Sequence, residues 1–306
     1  MSSPLWIDRS TIHSALSYPD AVVAVAAAVT AGMGMTPPRQ TVDTSTGQIL
    51  LMPSELGAYA GVKVVTIAPD NPALGLPRIN GVYVLFDAAT LVPIAQLDAP
   101  ALTAVRTAAV SALAVDRLAP TTASRLVVFG AGPQAHAHVT ALAAIRPVRS
   151  VDVIARTVET AGAVARTAAS LGIAARTLTT TAATGAIQVA DLVACCTTAR
   201  EPLFDSAGLP AQATVVAVGS HEPDARELDA ALIRRATVVV ESRASARTAG
   251  DVVLAGEVTD LVAGDLTELM AGRIAVAPDR PRVFKSVGEA WEDLAVAAAI
   301  FGRVVG

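Results

Sequence analysis

Three cations, Arg39, Lys63 and Arg106, sit where a mostly apolar chain gives them no ordinary use. Arg39 follows the rigid pair Pro37-Pro38, and the surrounding stretch 35–42 is predicted to be extended because each proline restricts the residue before it. Lys63 lies in a strand predicted over 61–67, on one face with Val65 and Ile67, so burial of that face would require an anionic partner. Arg106 shares an apolar stripe with Val110 and Leu113 in a helix predicted over 103–118, which puts a cation in a first turn, against the helix dipole. No stretch of this N-terminal region supplies a matching set of acids, and the economical reading is a substrate carboxylate gripped by all three. The ordinary alternatives are an edge strand that leaves Lys63 in water and an Arg106 that snorkels to solvent.

A second group of residues points to a different ligand. The apolar run Leu126-Val127-Val128-Phe129 ends in Gly130-Ala131-Gly132-Pro133-Gln134-Ala135, and an Ala/Leu-rich helix predicted over 136–145 follows, closed by Pro147. In such a strand, turn and helix Gly130 permits the sharp turn, Gly132 lets a pyrophosphate approach the backbone, and Ala135 lets the helix pack against the strand. The N–H groups of the helix start then face an anion. The same pattern also fits βα units that hold no nucleotide. An NAD-preferring fold carries an acid at the end of the second strand, about 20 residues on, whereas this chain has Ala155-Arg156-Thr157. Arg156 can stack on adenine and pair with a 2′-phosphate, helped by the Thr157 hydroxyl, so NADPH/NADP is expected ahead of NADH/NAD. The alternative is a solvated arginine at a helix start.

The elements that must position these residues fall into two regions. The first combines a helix over 19–30 with strands over 47–52, 61–67, 81–86 and 91–96, a strand-rich α+β pattern. Past Ala119-Pro120 strands and helices alternate, with strands at 125–129, 150–155, 175–178, 192–196, 214–218 and 237–240, which predicts an α/β doubly wound parallel sheet. Ligands lie beyond the carboxyl ends of such strands; here those ends are Gly130 to Gln134, Arg156-Thr157, Thr197-Thr198 and Gly219-Ser220-His221. The 306 residues carry a net charge of −4, 16% charged side chains and no basic block, which argues against a nucleic-acid partner. The longest apolar run, 21–29, is too short to span a bilayer, and a soluble cytoplasmic protein is expected. Cys195 and Cys196 are adjacent and offer neither a disulfide framework nor zinc spacing, so no metal is expected.

Several stretches together carry a resemblance. Gly61-Val62-Lys63-Val64-Val65 with Leu51-Met52-Pro53 before it, Arg106-Thr107-Ala108-Ala109, residues 128–135, residues 217–229 and Phe284-Lys285-Ser286-Val287-Gly288 resemble the ornithine cyclodeaminase and mu-crystallin family over nearly the whole chain. The resemblance implies a Rossmann-type domain over 119–285 and a substrate-binding and dimerisation domain over 1–118 with 286–306, assembled as a homodimer. It implies that Arg39, Lys63 and Arg106 bind an α-carboxylate. It adds Thr107, Val218, Lys285, Ser286 and Gly288 to the cofactor candidates Gly130, Gly132, Pro133, Gln134, Arg156, Thr157, Thr197, Thr198, Gly219 and Ser220. Two departures matter: Leu50 stands where cyclodeaminases have a Glu, and His221 where they have a catalytic Asp. Cyclodeamination must deprotonate an amine and expel ammonia before reducing the ring imine, whereas reduction of a ready-made C=N bond needs a hydride and one proton. The expectation is therefore an NADPH-dependent reductase of carboxylate-bearing ketimines of the pyrroline-2-carboxylate type. His221 and Lys63 are the candidate catalytic residues; His221 acts as proton donor or relay, or else only orders a cofactor loop. The alternatives are an ornithine or lysine cyclodeaminase with NAD, an amino-acid dehydrogenase that aminates a 2-oxo acid, and a non-catalytic binding protein of the mu-crystallin type. His13, His136 and His138 read as surface or helix positions.

Overall fold

The computed structural model describes residues 3–306, which form two compact units, one running to Arg106 and joined by Glu289–Gly306, the other Thr107–Gly288. The first unit is built on a six-stranded sheet of β1 (Leu5–Ile7), β2 (Gln40–Thr44), β3 (Gly47–Leu56), β4 (Tyr59–Ile67), β5 (Ile79–Asp87) and β6 (Pro93–Asp98), in the order β1-β6-β5-β4-β3-β2. All neighbours are antiparallel except β1, which pairs in parallel with β6. Two helices precede the meander: α1 (Arg9–Ala15), capped by the Asp8 carboxylate, and α2 (Tyr18–Thr30), capped by the Ser17 hydroxyl. Burial alternates along β4, with Gly61, Lys63 and Val65 turned inward, which places Lys63 on the covered face, as the period of two requires.

Helix α3 (Ala99–Leu118) starts four residues before its predicted position. Asp98 Oδ1 accepts the Ala101 N–H at 2.8 Å, and Pro100 occupies a first-turn position where its missing N–H costs nothing. Arg106 therefore stands about two turns into the helix and not in its first turn, so the dipole argument for an anion beside it falls away. The boundary between the units also falls inside α3, at Arg106/Thr107, instead of after it at 118/119, and at Gly288/Glu289 instead of 285/286. The later turns of α3 belong with α4 (Pro133–Ile145): Ser111 Oγ bonds His138 Nε2 at 2.9 Å, and Arg146, just past α4, reaches Asp116 at 2.8 Å.

The second unit carries eight parallel strands, β7 (Arg125–Phe129), β8 (Ser150–Ile154), β9 (Ala174–Leu178), β10 (Leu192–Cys195), β11 (Thr214–Ala217), β12 (Thr237–Val240), β13 (Val262–Asp265) and β14 (Arg282–Lys285). Their order is β13-β12-β14-β11-β10-β7-β8-β9. The long crossover helices are α4 and α5 (Val158–Ser170); shorter ones follow as α6 (Ala183–Ile187), α7 (Ala230–Arg235), α8 (Arg243–Ala246), α9 (Gly250–Val253), α10 (Val258–Leu261) and α11 (Leu266–Met270). Strands β10, β11 and β12 are wholly buried, in keeping with their continuous apolar runs. The pattern of the sequence leaves 282–285 without an element; in the structure it is a central strand inserted between β11 and β12. The chain ends on α12 (Ala290–Val305), which packs in the first unit over β3, β4 and α2. Among the described residues no single helix is long and apolar enough to cross a membrane.

Candidate active-site elements

In the first unit the predicted cations meet partners that the sequence reading did not supply. Lys63 Nζ donates to Asp293 Oδ2 at 2.8 Å and more weakly to Thr103 Oγ1 at 3.4 Å. Arg106 donates through Nη1 to Glu292 Oε2, and its Nε lies 3.2 Å from Asp293 Oδ1. All four side chains are buried, Glu292 and Asp293 with no exposed surface. The expectation that a buried Lys63 needs an anion holds in kind, but the premise that no acids are available is corrected: α12 delivers two in its first turn, where the dipole favours negative charge. These acids escape a sequence reading because they look like ordinary N-terminal charges. The signal against that reading is that Ala290, Trp291, Leu294, Ala295 and Val296 around them are apolar and buried, so this helix start has no solvent face.

Burial pulls the Lys63 ammonium down to about 8, with the positive charges of Arg106 and Arg39 acting in the same direction and the Asp293 carboxylate opposing them. Arg39, half-buried before β2, thus belongs to the same field. Positive charge from Arg39 and Arg106 and negative charge from Asp293 thus meet at Lys63, with Glu292 paired to Arg106. Beside Lys63 across the sheet, Tyr83 is fully buried with its hydroxyl against Gly61, and burial together with Asp293 raises its pKa well above the ordinary value. Leu50 is buried against Val65 of the same sheet and Ala99 at the start of α3.

The second unit holds the predicted dinucleotide turn. Gly130 has φ +113°, and a side chain there would strike the Cys196 carbonyl, so both conformation and space call for glycine. Gly132 caps α4 with extended backbone and has open space where a Cβ would stand, which leaves the start of the 13-residue helix approachable by a phosphate. Pro133 is exposed and Gln134 half-buried at that start. Arg156 is exposed at the end of β8, while the Thr157 hydroxyl caps α5 by accepting the Thr160 N–H. Glycine-cradled strand ends, an approachable helix start and an exposed arginine on the second strand fit a nicotinamide dinucleotide.

Behind these loops lies a set of buried carboxylates. Glu227 accepts the Thr197 N–H at 2.8 Å, the Thr197 hydroxyl at 2.7 Å and the Gly219 N–H at 2.8 Å, and so ties the ends of β10 and β11 together. Burial raises its pKa, against the pull of Lys285 and Thr197. Asp251 accepts the Ser220 hydroxyl at 2.5 Å and the Glu227 and Leu228 N–H groups at 2.7 and 2.8 Å. Burial works against its charge, but Lys285, Ser220 and Leu228 outweigh it and hold the carboxyl below its ordinary value. Lys285 Nζ commits its three donors to the Ser220 carbonyl at 2.6 Å, the Ser220 hydroxyl at 3.0 Å and Asp251 at 3.0 Å. Glu241 takes the Ser286 hydroxyl at 2.5 Å and the N–H groups of Val287 and Gly288. The Lys285, Ser286 and Thr197 side chains thus fasten these loops, and the Gly288 N–H is held by Glu241.

The remaining expected residues divide by exposure. Thr198 is exposed and Val218 half-buried at the strand ends, Thr107 is buried in α3, and His221 is half-buried directly after Ser220. His138 is fully buried, its pKa lowered to about 4 by burial, and it bonds Ser111 and the Gln134 carbonyl; it is a core histidine. Burial pushes the thiols of Cys195 and Cys196 well up, so neither is an activated nucleophile. Among the described residues no group of His, Cys, Asp or Glu could hold a metal ion.

The sequence model of the ornithine cyclodeaminase/mu-crystallin family matches residues 10–306. The chain belongs to that family. A Delta(1)-pyrroline-2-carboxylate/Delta(1)-piperideine-2-carboxylate reductase of Azospirillum brasilense is 35% identical over 94% of this chain and 92% of its own length. The solved Thermococcus litoralis Delta(1)-pyrroline-2-carboxylate reductase, in complex with NADH and L-proline, superposes with a TM-score of 0.92 at 28% identity, covering 98% of this chain and 97% of that one. An archaeal alanine dehydrogenase dimer with bound NAD gives 0.91 at 26% identity, covering 99% and 96%.

Proposed function

We propose that this protein is a nicotinamide-dinucleotide-dependent reductase of small ketimines that carry a carboxylate, of the pyrroline-2-carboxylate type. The observation that carries the proposal is the gathering of three cations, buried Lys63 and Arg106 with half-buried Arg39 in the same field, a donor set suited to a substrate carboxylate. The activity of the Azospirillum brasilense relative supports the same substrate class. Leu50, buried among apolar neighbours, and His221 replace the two acids that deamination would use, which weighs against a cyclodeaminase. A reservoir for apolar ligands would have no use for the cations.

When bound, the reduced dinucleotide supplies the hydride that adds to the imine carbon. The nitrogen then needs one proton. In a 2-carboxylated imine the carboxylate and the nitrogen are attached to the same carbon, so a cation gripping the carboxylate stands beside the nitrogen. Lys63, an ammonium held at about 8, is the group we assign as proton donor, with Arg39 and Arg106 holding the carboxylate. The Gly130-to-Gln134 turn holds the pyrophosphate, and exposed Arg156 favours NADPH over NADH. A homodimer is supported by β2, an edge strand with all five residues exposed. The free buried cysteines accord with a cytoplasmic, reducing location.

The test is to mix purified protein with NADPH and pyrroline-2-carboxylate and follow absorbance of the reduced cofactor. Oxidation that depends on the imine is expected. Tight NADPH binding without oxidation by any cyclic or linear ketimine would overturn the reductase in favour of a binding protein. Ammonia released from ornithine without added NADPH would restore the cyclodeaminase, and oxidation that requires free ammonia with a 2-oxo acid would indicate a dehydrogenase.

A further inference from the structure

Among the described residues, the first unit places its buried acids on two consecutive residues of one helix turn, and both meet the predicted substrate-binding cations. Asp293 is the pivot. One of its oxygens bonds Lys63 Nζ at 2.8 Å while the other lies 3.2 Å from Arg106 Nε, so one carboxylate spans two cations that belong to different elements, β4 and α3. Glu292 takes the far side of the same guanidinium. Consecutive helix residues point about 100° apart, and both reach the cluster because Arg106 extends between them. Of Lys63's three donors, Asp293 takes one at short range and Thr103 one at 3.4 Å, which leaves a donor for a bound molecule.

We infer that Asp293 is the positioning residue of this site, the group that keeps Lys63 protonated and aligned with Arg106, while Glu292 pairs with Arg106. The inference rests on the reading of Lys63 as proton donor. The groups that face Lys63 are Arg106 and Thr103 from α3, Asp293 from α12, Tyr83 from β5, and Arg39 from the stretch before β2. Arg106 and Arg39 both press Lys63 to lose its proton, and Asp293 alone among these groups favours keeping it. A merely structural acid that fastened α12 to the sheet would contribute to stability and leave the ionisation of the active amine untouched.

The experiment is the pH profile of kcat/KM for imine reduction in the wild type and in Asp293→Asn, Asp293→Glu, Glu292→Gln and Lys63→Arg. With a protonated Lys63 as the active form, the wild-type rate holds below about pH 8 and falls above it. Asp293→Asn keeps shape and an acceptor but loses the charge, so its alkaline limb is expected to move about one unit or more towards acid. Asp293→Glu is expected to give an intermediate limb, and it carries the test if the Asn variant does not fold by circular dichroism. Glu292→Gln is expected to raise KM several-fold and to move the limb less than Asp293→Asn does. A limb unmoved in the folded Asp293 variants would overturn the inference. A limb that persists in Lys63→Arg would instead overturn Lys63 as proton donor, and the two failures are distinguishable.

Discussion

The buried pair Lys285–Asp251 makes the most demanding prediction about the second unit. Lys285→Met removes the ammonium from a site with no exposed surface around Nζ and leaves the Asp251 carboxylate with the Ser220 hydroxyl and two backbone N–H groups. Breaking a buried ion pair by removing one partner costs about 3–5 kcal/mol, a large part of the about 5–15 kcal/mol that holds a typical protein folded. For a unit of this size each kcal/mol is worth about 2–4 °C, so the melting temperature is expected to fall by roughly 6–20 °C. Asp251→Asn in the same chain offers the decisive comparison. Its amide oxygen can keep the Glu227 and Leu228 N–H bonds while its NH2 donates to Ser220, so the double variant leaves no unpaired charge at position 251 and is expected to lose less than Lys285→Met alone. Urea unfolding of the wild type, both single variants and the double variant measures the coupling. A Lys285→Met variant within about 0.5 kcal/mol of wild type, the range of a neutral surface change, would refute the reasoning.

Two further outcomes test the dinucleotide cradle. Gly130→Ala forces a side chain into the Cys196 carbonyl at a backbone angle that disfavours it, and NADPH affinity is expected to fall roughly tenfold or more, read by fluorescence titration; an unchanged Kd would mean the turn holds no cofactor. Arg156→Asp exchanges a charge-assisted bond to a 2′-phosphate for repulsion, so the ratio of NADPH to NADH efficiency is expected to drop by about 10- to 100-fold; steady-state kinetics with both cofactors would show an unchanged ratio if β8 carries no specificity.

What the sequence made legible follows the range of the interactions. The turn at Gly130 is local chemistry, a strand, a glycine with φ +113° and a helix start within a few residues, and it reads directly. Lys63 is half local: period-two burial shows that its face is covered, yet the acid that answers it is 230 residues away, and the one that answers Arg106 is 186 away. No spacing rule connects such partners. The start of α3 was misplaced for a local reason, since Asp98 followed by Pro100 is a capping signal that a run of small apolar residues obscures. Glu227 and Glu241 lie on loops and Asp251 on the short helix α9, and their purpose appears only once β14 is threaded between β11 and β12 and brings Lys285 under Ser220.

The distance in sequence between Lys63 and Asp293 also orders events in time. A ribosome adding about 5–20 residues per second releases Asp293 roughly 10–45 s after Lys63, with the whole second unit made in between. Until α12 arrives, Lys63 on the covered face of the sheet lacks the Asp293 carboxylate and Arg106 on α3 lacks both α12 acids, and burying them so would be costly. Lys63 and Arg106 therefore reach their final ion pairs only after the rest of the chain is made, when α12 docks and completes both the core and its charge pairing.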